Sequence, residues 1–224
     1  MQQVKTRKET FSLIYKAAIV LAVIIGVLLQ CEVGTSNFSL SSFRMFTTLS
    51  NCAVAVFFVV YIAKCLIEGQ NQLGKAIKYF KFLITLSIML TGLVAHFMLQ
   101  GLFDNMASEV KVGLTFLHYV VPIAVVLDWI IFDEKGKTEW KMPFFAAAFP
   151  ILYVIVTMIA APFMPSASRY PYPFLNVDAL GVPMVALNIV LLAIAFLAVG
   201  FLSVWLDHKL GKKISTSRKE ILSE

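Results

Sequence analysis

Thr47, Ser50 and Asn51, in the run FTTLSN, share one helical face, because offsets of three and four residues place side chains on neighbouring turns. A threonine hydroxyl is a weak nucleophile and becomes reactive only beside a base. Neutral histidine is the side chain best suited to supply that base near neutral pH. His96 and His118 both fall inside apolar runs. The stretch Leu114 to Phe132, LTFLHYVVPIAVVLDWIIF, is long enough to span a bilayer, yet it carries His118, Pro122 and Asp128. Polar groups at that depth need partners. Ten helical steps separate His118 from Asp128, roughly 15 Å of axis, so the two cannot meet within their own helix and each must be partnered from another. His118, Pro122, Val125 and Trp129, spaced four, three and four, form the face expected to look into the protein.

Each of these residues also has a plainer role open to it. Ser, Thr and Asn commonly bond across helices at membrane helix interfaces, and a buried histidine can simply satisfy another polar group. Thr48 is a competing hydroxyl about 100° around the helix from Thr47, so only one of the two can face a given partner well. Two histidines at matching depth on adjacent spans can instead ligate a haem iron from both sides, although only Gly92 and Gly113 are near to make room for a macrocycle. Asp128, close to one membrane boundary, reads as a structural ion pair or cap with Lys64 or another cation rather than as a catalytic acid. Cys31, Cys52 and Cys65 lack zinc-site spacing and are odd in number, so neither a metal site nor a disulfide framework is expected. No cofactor is expected.

The elements that must position these groups are membrane helices. Of 224 residues, 59% are hydrophobic and 14% charged, against about a quarter charged in ordinary soluble domains. The net charge of +6 lies in connections between apolar runs rather than on a clustered face, which argues against nucleic-acid binding. A ruler of about 20 apolar residues gives six spans, near 11–31, 46–67, 80–103, 112–132, 143–164 and 182–206, joined by short connections into one all-α bundle over residues 1–224. Pro122 and Pro150 fall within spans and should kink them. The first apolar run lacks a small-x-small cleavage site, and Gln30 before Cys31 does not suit a lipoprotein signal, so the run is expected to remain as the first span.

Lys5, Arg7 and Lys8, Lys64, Lys75, Lys78 and Lys81, Lys135, Lys137 and Lys141, and the tail cations Lys209, Lys212, Lys213, Arg218 and Lys219 all fall on one side of this topology. Only Arg44, Lys111 and Arg169 fall on the other, and Lys16 lies inside the first span. The positive-inside bias therefore predicts cytoplasmic termini at both ends. Thr47, His96, His118 and the segment around Tyr172 then share one outer level, while Lys64 and Asp128 lie near the inner face.

Taken in order, FRMFTTLSN, HYVVPIAVVLDW and YPYPFLNVD across six spans resemble the androgen-induced-gene family of multi-pass membrane proteins and its bacterial relatives. The resemblance touches nearly the whole chain. It implies a bacterial cell-membrane protein that hydrolyses lipid esters resembling fatty acid esters of hydroxy fatty acids, with Thr47 as nucleophile and His118 as base by motif position. The chain departs from the animal pattern in the spacing of the proline after His118 and in having Ser50 near a position held there by an acid. Asn51 is the oxyanion donor to test first, with His96 and Tyr172 as further wall or substrate-binding candidates. An acyltransferase of the same mechanism, and a non-enzymatic haem- or lipid-binding protein, are the alternatives; the expected partners are the bilayer and a lipid ester.

Overall fold

The computed structural model describes residues 7–67, 74–103 and 106–223; Lys5, residues 68–73 and the side chains of Arg218 and Lys219 lie outside what is described. Among the described residues every regular element is helical. Six stretches are long and apolar enough to cross a membrane: Arg7–Gln30, Phe46–Ile67, Lys75–Leu99, Ser108–Phe132, Met142–Phe163 and Val177–Ser215. The all-α, six-span architecture of a multi-pass membrane protein follows. The chain divides into two compact units, Met1–Ile131 and Phe132–Glu224.

The first unit holds four spans. They are α1 (Arg7–Gln30), α2 (Phe46–Ile67), α3 (Lys75–Val94) extended by a π turn (Ala95–Leu99), and α4 (Ser108–Thr115) joined through a second π turn (Phe116–Val120) to α5 (Val121–Phe132). Each span contributes one pair of residues four apart to a common apolar core: Ile19 and Val23, Val54 and Phe58, Ile84 and Ile88, Val121 and Val125. Spacing of four stacks the two side chains on one face, so every helix offers a two-turn apolar stripe to the other three. Lipid already solvates such residues, so what holds helices together is close packing rather than exclusion of water. Glycines permit it. A Cβ added to Gly113 would lie 2.9 Å from the Gly26 carbonyl oxygen and 2.8 Å from the Gln30 nitrogen, which fixes α4 against α1 at backbone contact.

Pro122 accounts for the break between α4 and α5. It has no N–H to offer the carbonyl of His118, four residues earlier, and its ring crowds that carbonyl. The wide turn directly before it takes up the strain, with the Val121 N–H bonding to the Phe116 carbonyl. The His118 carbonyl then faces α3, where a Cβ on Gly92 would be only 3.0 Å from it.

The second unit contains α6 (Met142–Ala146), α7 (Ala148–Ala160) and α8 (Val177–Ser223). The α6–α7 break falls at Ala147, beside the Ala146 carbonyl that the Pro150 ring would crowd from four residues on. α8 is interrupted at Gly181, whose φ of 75° favours glycine, and Pro183 follows. Asp207 of α8 binds the preceding loop: its Oδ2 accepts the N–H groups of Lys137 and Thr138, both at 3.0 Å, and its carbonyl accepts the Gly136 N–H at 3.1 Å. Arg169 pairs with Asp178 at 2.6 Å. Tyr172 belongs to this unit, buried and stacked on Phe174 with ring centroids 5.0 Å apart, and meeting Tyr153 edge-on.

Candidate active site

Thr47 is the second residue of α2 and Asn51 lies one turn further along. Thr47, Thr48, Ser50 and Asn51 are all buried, yet the three hydroxyls point to different helices. Thr48 Oγ1 donates to Gln30 Oε1 on α1 at 3.1 Å. Ser50 Oγ lies 2.8 Å from Thr91 Oγ1 on α3 and 3.1 Å from the Thr47 carbonyl. Thr47 Oγ1 lies 3.0 Å from His118 Nε2. The 100° rotation between Thr47 and Thr48 thus separates the two hydroxyls, and Thr47 is the one that meets the histidine.

The protonation pattern of His118 follows from its second contact. Nδ1 lies 2.9 Å from the Leu114 carbonyl oxygen, which can only accept, so Nδ1 carries the hydrogen. In the neutral ring Nε2 is then a lone-pair acceptor, and the Thr47 hydroxyl donates to it. That is the state required of a base about to take the threonine proton. A main-chain carbonyl occupies the orienting position that a carboxylate fills in a nucleophile–histidine–acid triad. Phe103 stacks on the imidazole at a centroid distance of 5.3 Å and an interplanar angle of 29°. His118, Pro122, Val125 and Trp129 are all buried, as their shared face requires.

The first turn of α2 adds an electrostatic element that spacing alone did not reveal. Helix N-termini present partial positive charge, which favours an anion forming there. Thr47 belongs to that turn.

The geometry bears on three further residues expected to matter. Asn51 is not positioned as an oxyanion donor, because Nδ2 already donates to the Thr47 carbonyl at 2.8 Å and to the Leu117 carbonyl at 3.1 Å. It clamps the Thr47 turn to the His118 turn, while its Oδ1 has no hydrogen-bond donor among the described residues. His96, on the first π turn, is exposed and packs edge-on against Phe97 and Tyr119 rather than joining the Thr47–His118 pair. With both nitrogens of His118 engaged, ligating iron would cost the Thr47 or the Leu114 contact, so the two histidines do not form a ready haem site. Asp128 forms the structural ion pair expected of it, and the cations are Lys16 and Lys81.

That ion cluster is fully internal. Lys16 Nζ lies 2.7 Å from Asp128 Oδ1 and donates to Ser12 Oγ at the same distance. Lys81 Nζ lies 2.7 Å from Asp128 Oδ2, off the hydrogen-bonding direction of that oxygen. Both ammonium groups also lie over the Tyr61 ring, at 5.1 and 5.8 Å from its centroid. One carboxylate thus ties α1, α3 and α5 together, with an aromatic face from α2. The cysteines are free, and among the described residues no three His, Cys, Asp or Glu side chains gather closely enough to hold a metal. No family model, curated protein or solved structure matches the chain.

Proposed function

We propose that this chain is an intramembrane hydrolase of lipid esters, a bacterial relative of the androgen-induced-gene family, with Thr47 as nucleophile and His118 as base. The observation that carries the reading is the buried Thr47 Oγ1–His118 Nε2 bond of 3.0 Å, with Nδ1 held by the Leu114 carbonyl. His118 Nε2 takes the threonine proton, Oγ1 attacks the ester carbonyl, and the oxyanion forms at the N-terminus of α2. His118 then returns the proton to the departing lipid alkoxide, leaving an acyl-threonine that water hydrolyses. The imidazolium formed on the way keeps its Nδ1 hydrogen on the Leu114 carbonyl, which holds the ring in register through both halves of the cycle. The substrate is an ester carried within the bilayer, of the type in which a fatty acid is esterified to a hydroxy fatty acid. The positive-inside bias of the basic connections supports a cell-membrane topology with cytoplasmic termini and the site in the outer half of the bilayer.

The test is release of free fatty acid from such an ester incorporated into proteoliposomes. Wild-type protein releases it, and Thr47→Val and His118→Ala do not. Equal release by wild type and Thr47→Val would end the proposal.

A further inference from the structure

An acyl-threonine must be released by a second nucleophile, and one amide beside the pair bears on which nucleophile it accepts. Asn51 is fully buried. Its Nδ2 bridges the carbonyls of Thr47 and Leu117, the main-chain groups flanking the Thr47–His118 bond on either side, and its Oδ1 meets no donor among the described residues. Buried amide oxygens are rarely left without a hydrogen. Asn51 is one helical turn from Thr47, and side chains so related lie about 6 Å apart. A water donating two hydrogen bonds of about 2.8 Å, at its angle of roughly 105°, joins acceptors about 4.5 Å apart. Once Thr47 Oγ1 is acylated it has no hydrogen to give, and His118 Nε2 becomes an acceptor in need of a donor. Two acceptors without a hydrogen are then left at this turn: Nε2 beside Thr47 and Oδ1 one turn along α2.

We propose that Asn51 Oδ1 holds the second hydrogen of the attacking water, and so selects water over alcohols as the group that releases the acyl chain. The inference rests on the acyl-threonine mechanism above. Water brings two hydrogens on the attacking atom. One proton passes to His118 Nε2 as the water oxygen bonds to the acyl carbon, and the other stays hydrogen-bonded to Oδ1 and remains on the product acid. The bond from the acyl carbon to Thr47 Oγ1 breaks, and Oγ1 takes the proton back from Nε2. An alcohol has one hydrogen, which goes to Nε2. Oδ1 is then left bare against an alkyl group, the arrangement that polar sites reject most strongly.

The experiment uses the purified full chain in proteoliposomes, p-nitrophenyl decanoate as acyl donor and butan-1-ol as competing acceptor. Decanoic acid and butyl decanoate are quantified together. Both arise from one acyl-threonine, so their ratio does not depend on how much protein is folded. Wild type is expected to form mainly the acid. Asn51→Leu is expected to lower the acid-to-ester ratio about tenfold. Asn51→Asp, which keeps an oxygen acceptor but loses the amide donors, is expected to act more slowly with a ratio within about twofold of wild type. If Asn51→Leu fails to fold, Asn51→Ala replaces it with the same expectation. An unchanged ratio in the apolar variant overturns the proposal, as does an equal shift in Asn51→Asp, which would make Asn51 a clamp alone. A wild type that forms mainly butyl ester overturns it as well. If neither product depends on Thr47, judged with Thr47→Val, the acyl-threonine itself fails and the inference falls with it; a Thr47-dependent product with an unmoved ratio overturns only the inference.

Discussion

Two buried polar layers occupy the first unit, and their hydrogen-bonding groups are satisfied in opposite ways. Around Asp128 every group is charged or paired with a charge, and a single carboxylate is shared by two ammonium groups at 2.7 Å each. Around Thr47 every group is neutral, each hydroxyl has its own helix to bond, and one amide oxygen is left over. Between them lies the eight-residue apolar core. On each span the core pair falls between a polar residue on either side: Lys16 and Gln30 on α1, Asn51 and Tyr61 on α2, Lys81 and Thr91 on α3, His118 and Asp128 on the fourth span. The charged layer has the character of a staple, since its pairs offset the cost of burying charge and leave little to offer a ligand. The neutral layer holds the proposed reactive pair, with bonds that are weak individually and a histidine in the accepting tautomer.

The two layers are expected to respond differently to substitution. The largest effect is expected at Thr47. Thr47→Val preserves shape and β-branching, so hydrolysis should fall about 10³-fold or more while the melting temperature in detergent hardly moves. His118→Ala should match it, and the double variant should be no worse than either alone, because the two act as one unit.

At the other layer stability should suffer instead. Asp128→Asn leaves Lys16 and Lys81 buried without their counter-charge, and a loss of about 3–5 kcal/mol is expected in denaturant titrations. Lys81→Met leaves a Lys16–Asp128 pair behind and should cost about 1 kcal/mol or less. Fluorophosphonate labelling per folded molecule should stay at the wild-type level in both. A labelling defect in folded Lys81→Met would mean that the layers are functionally coupled.

Gly92→Ala sharpens the comparison between them. The added Cβ would stand 3.0 Å from the His118 carbonyl and 3.2 Å from Pro122 Cβ, so the π turn must shift by a few tenths of an ångström. An activity loss of about tenfold with a stability cost of about 1–3 kcal/mol is expected from kinetics and melting together. The smallest effect belongs to Thr48→Val, which removes the hydrogen from Gln30 Oε1: about 1 kcal/mol of stability, with hydrolysis within about threefold of wild type.

Much of this arrangement was legible in the sequence because it follows from helical period. The six spans, the buried face through His118 and Trp129, and the divergence of Thr47 from Thr48 all depend only on residue spacing. The partner of Asp128 was not legible. Burial demanded a cation, but Lys16 is 112 residues away in sequence, and depth alone made Lys64 as good a choice. What separates them is helix rotation: α2 turns Tyr61 toward the two lysines, whereas α1 and α3 turn the lysines themselves inward. His96 stands apart from the Thr47–His118 pair for a related reason. Its depth matched that of His118, but the π turn at Ala95–Leu99 alters the local rotation of the helix and leaves the imidazole exposed. Pro122 was readable as a kink, but not as a wide turn that frees the His118 carbonyl to lie against Gly92.

Thr47 Oγ1 as the acylated atom is tested by mapping the adduct of a fluorophosphonate probe by peptide mass spectrometry on the wild-type chain. A single adduct is expected on Thr47, absent from Thr47→Val and His118→Ala and retained in Thr48→Val. An adduct on Thr48 or Ser50, or labelling that persists undiminished in Thr47→Val, would contradict it.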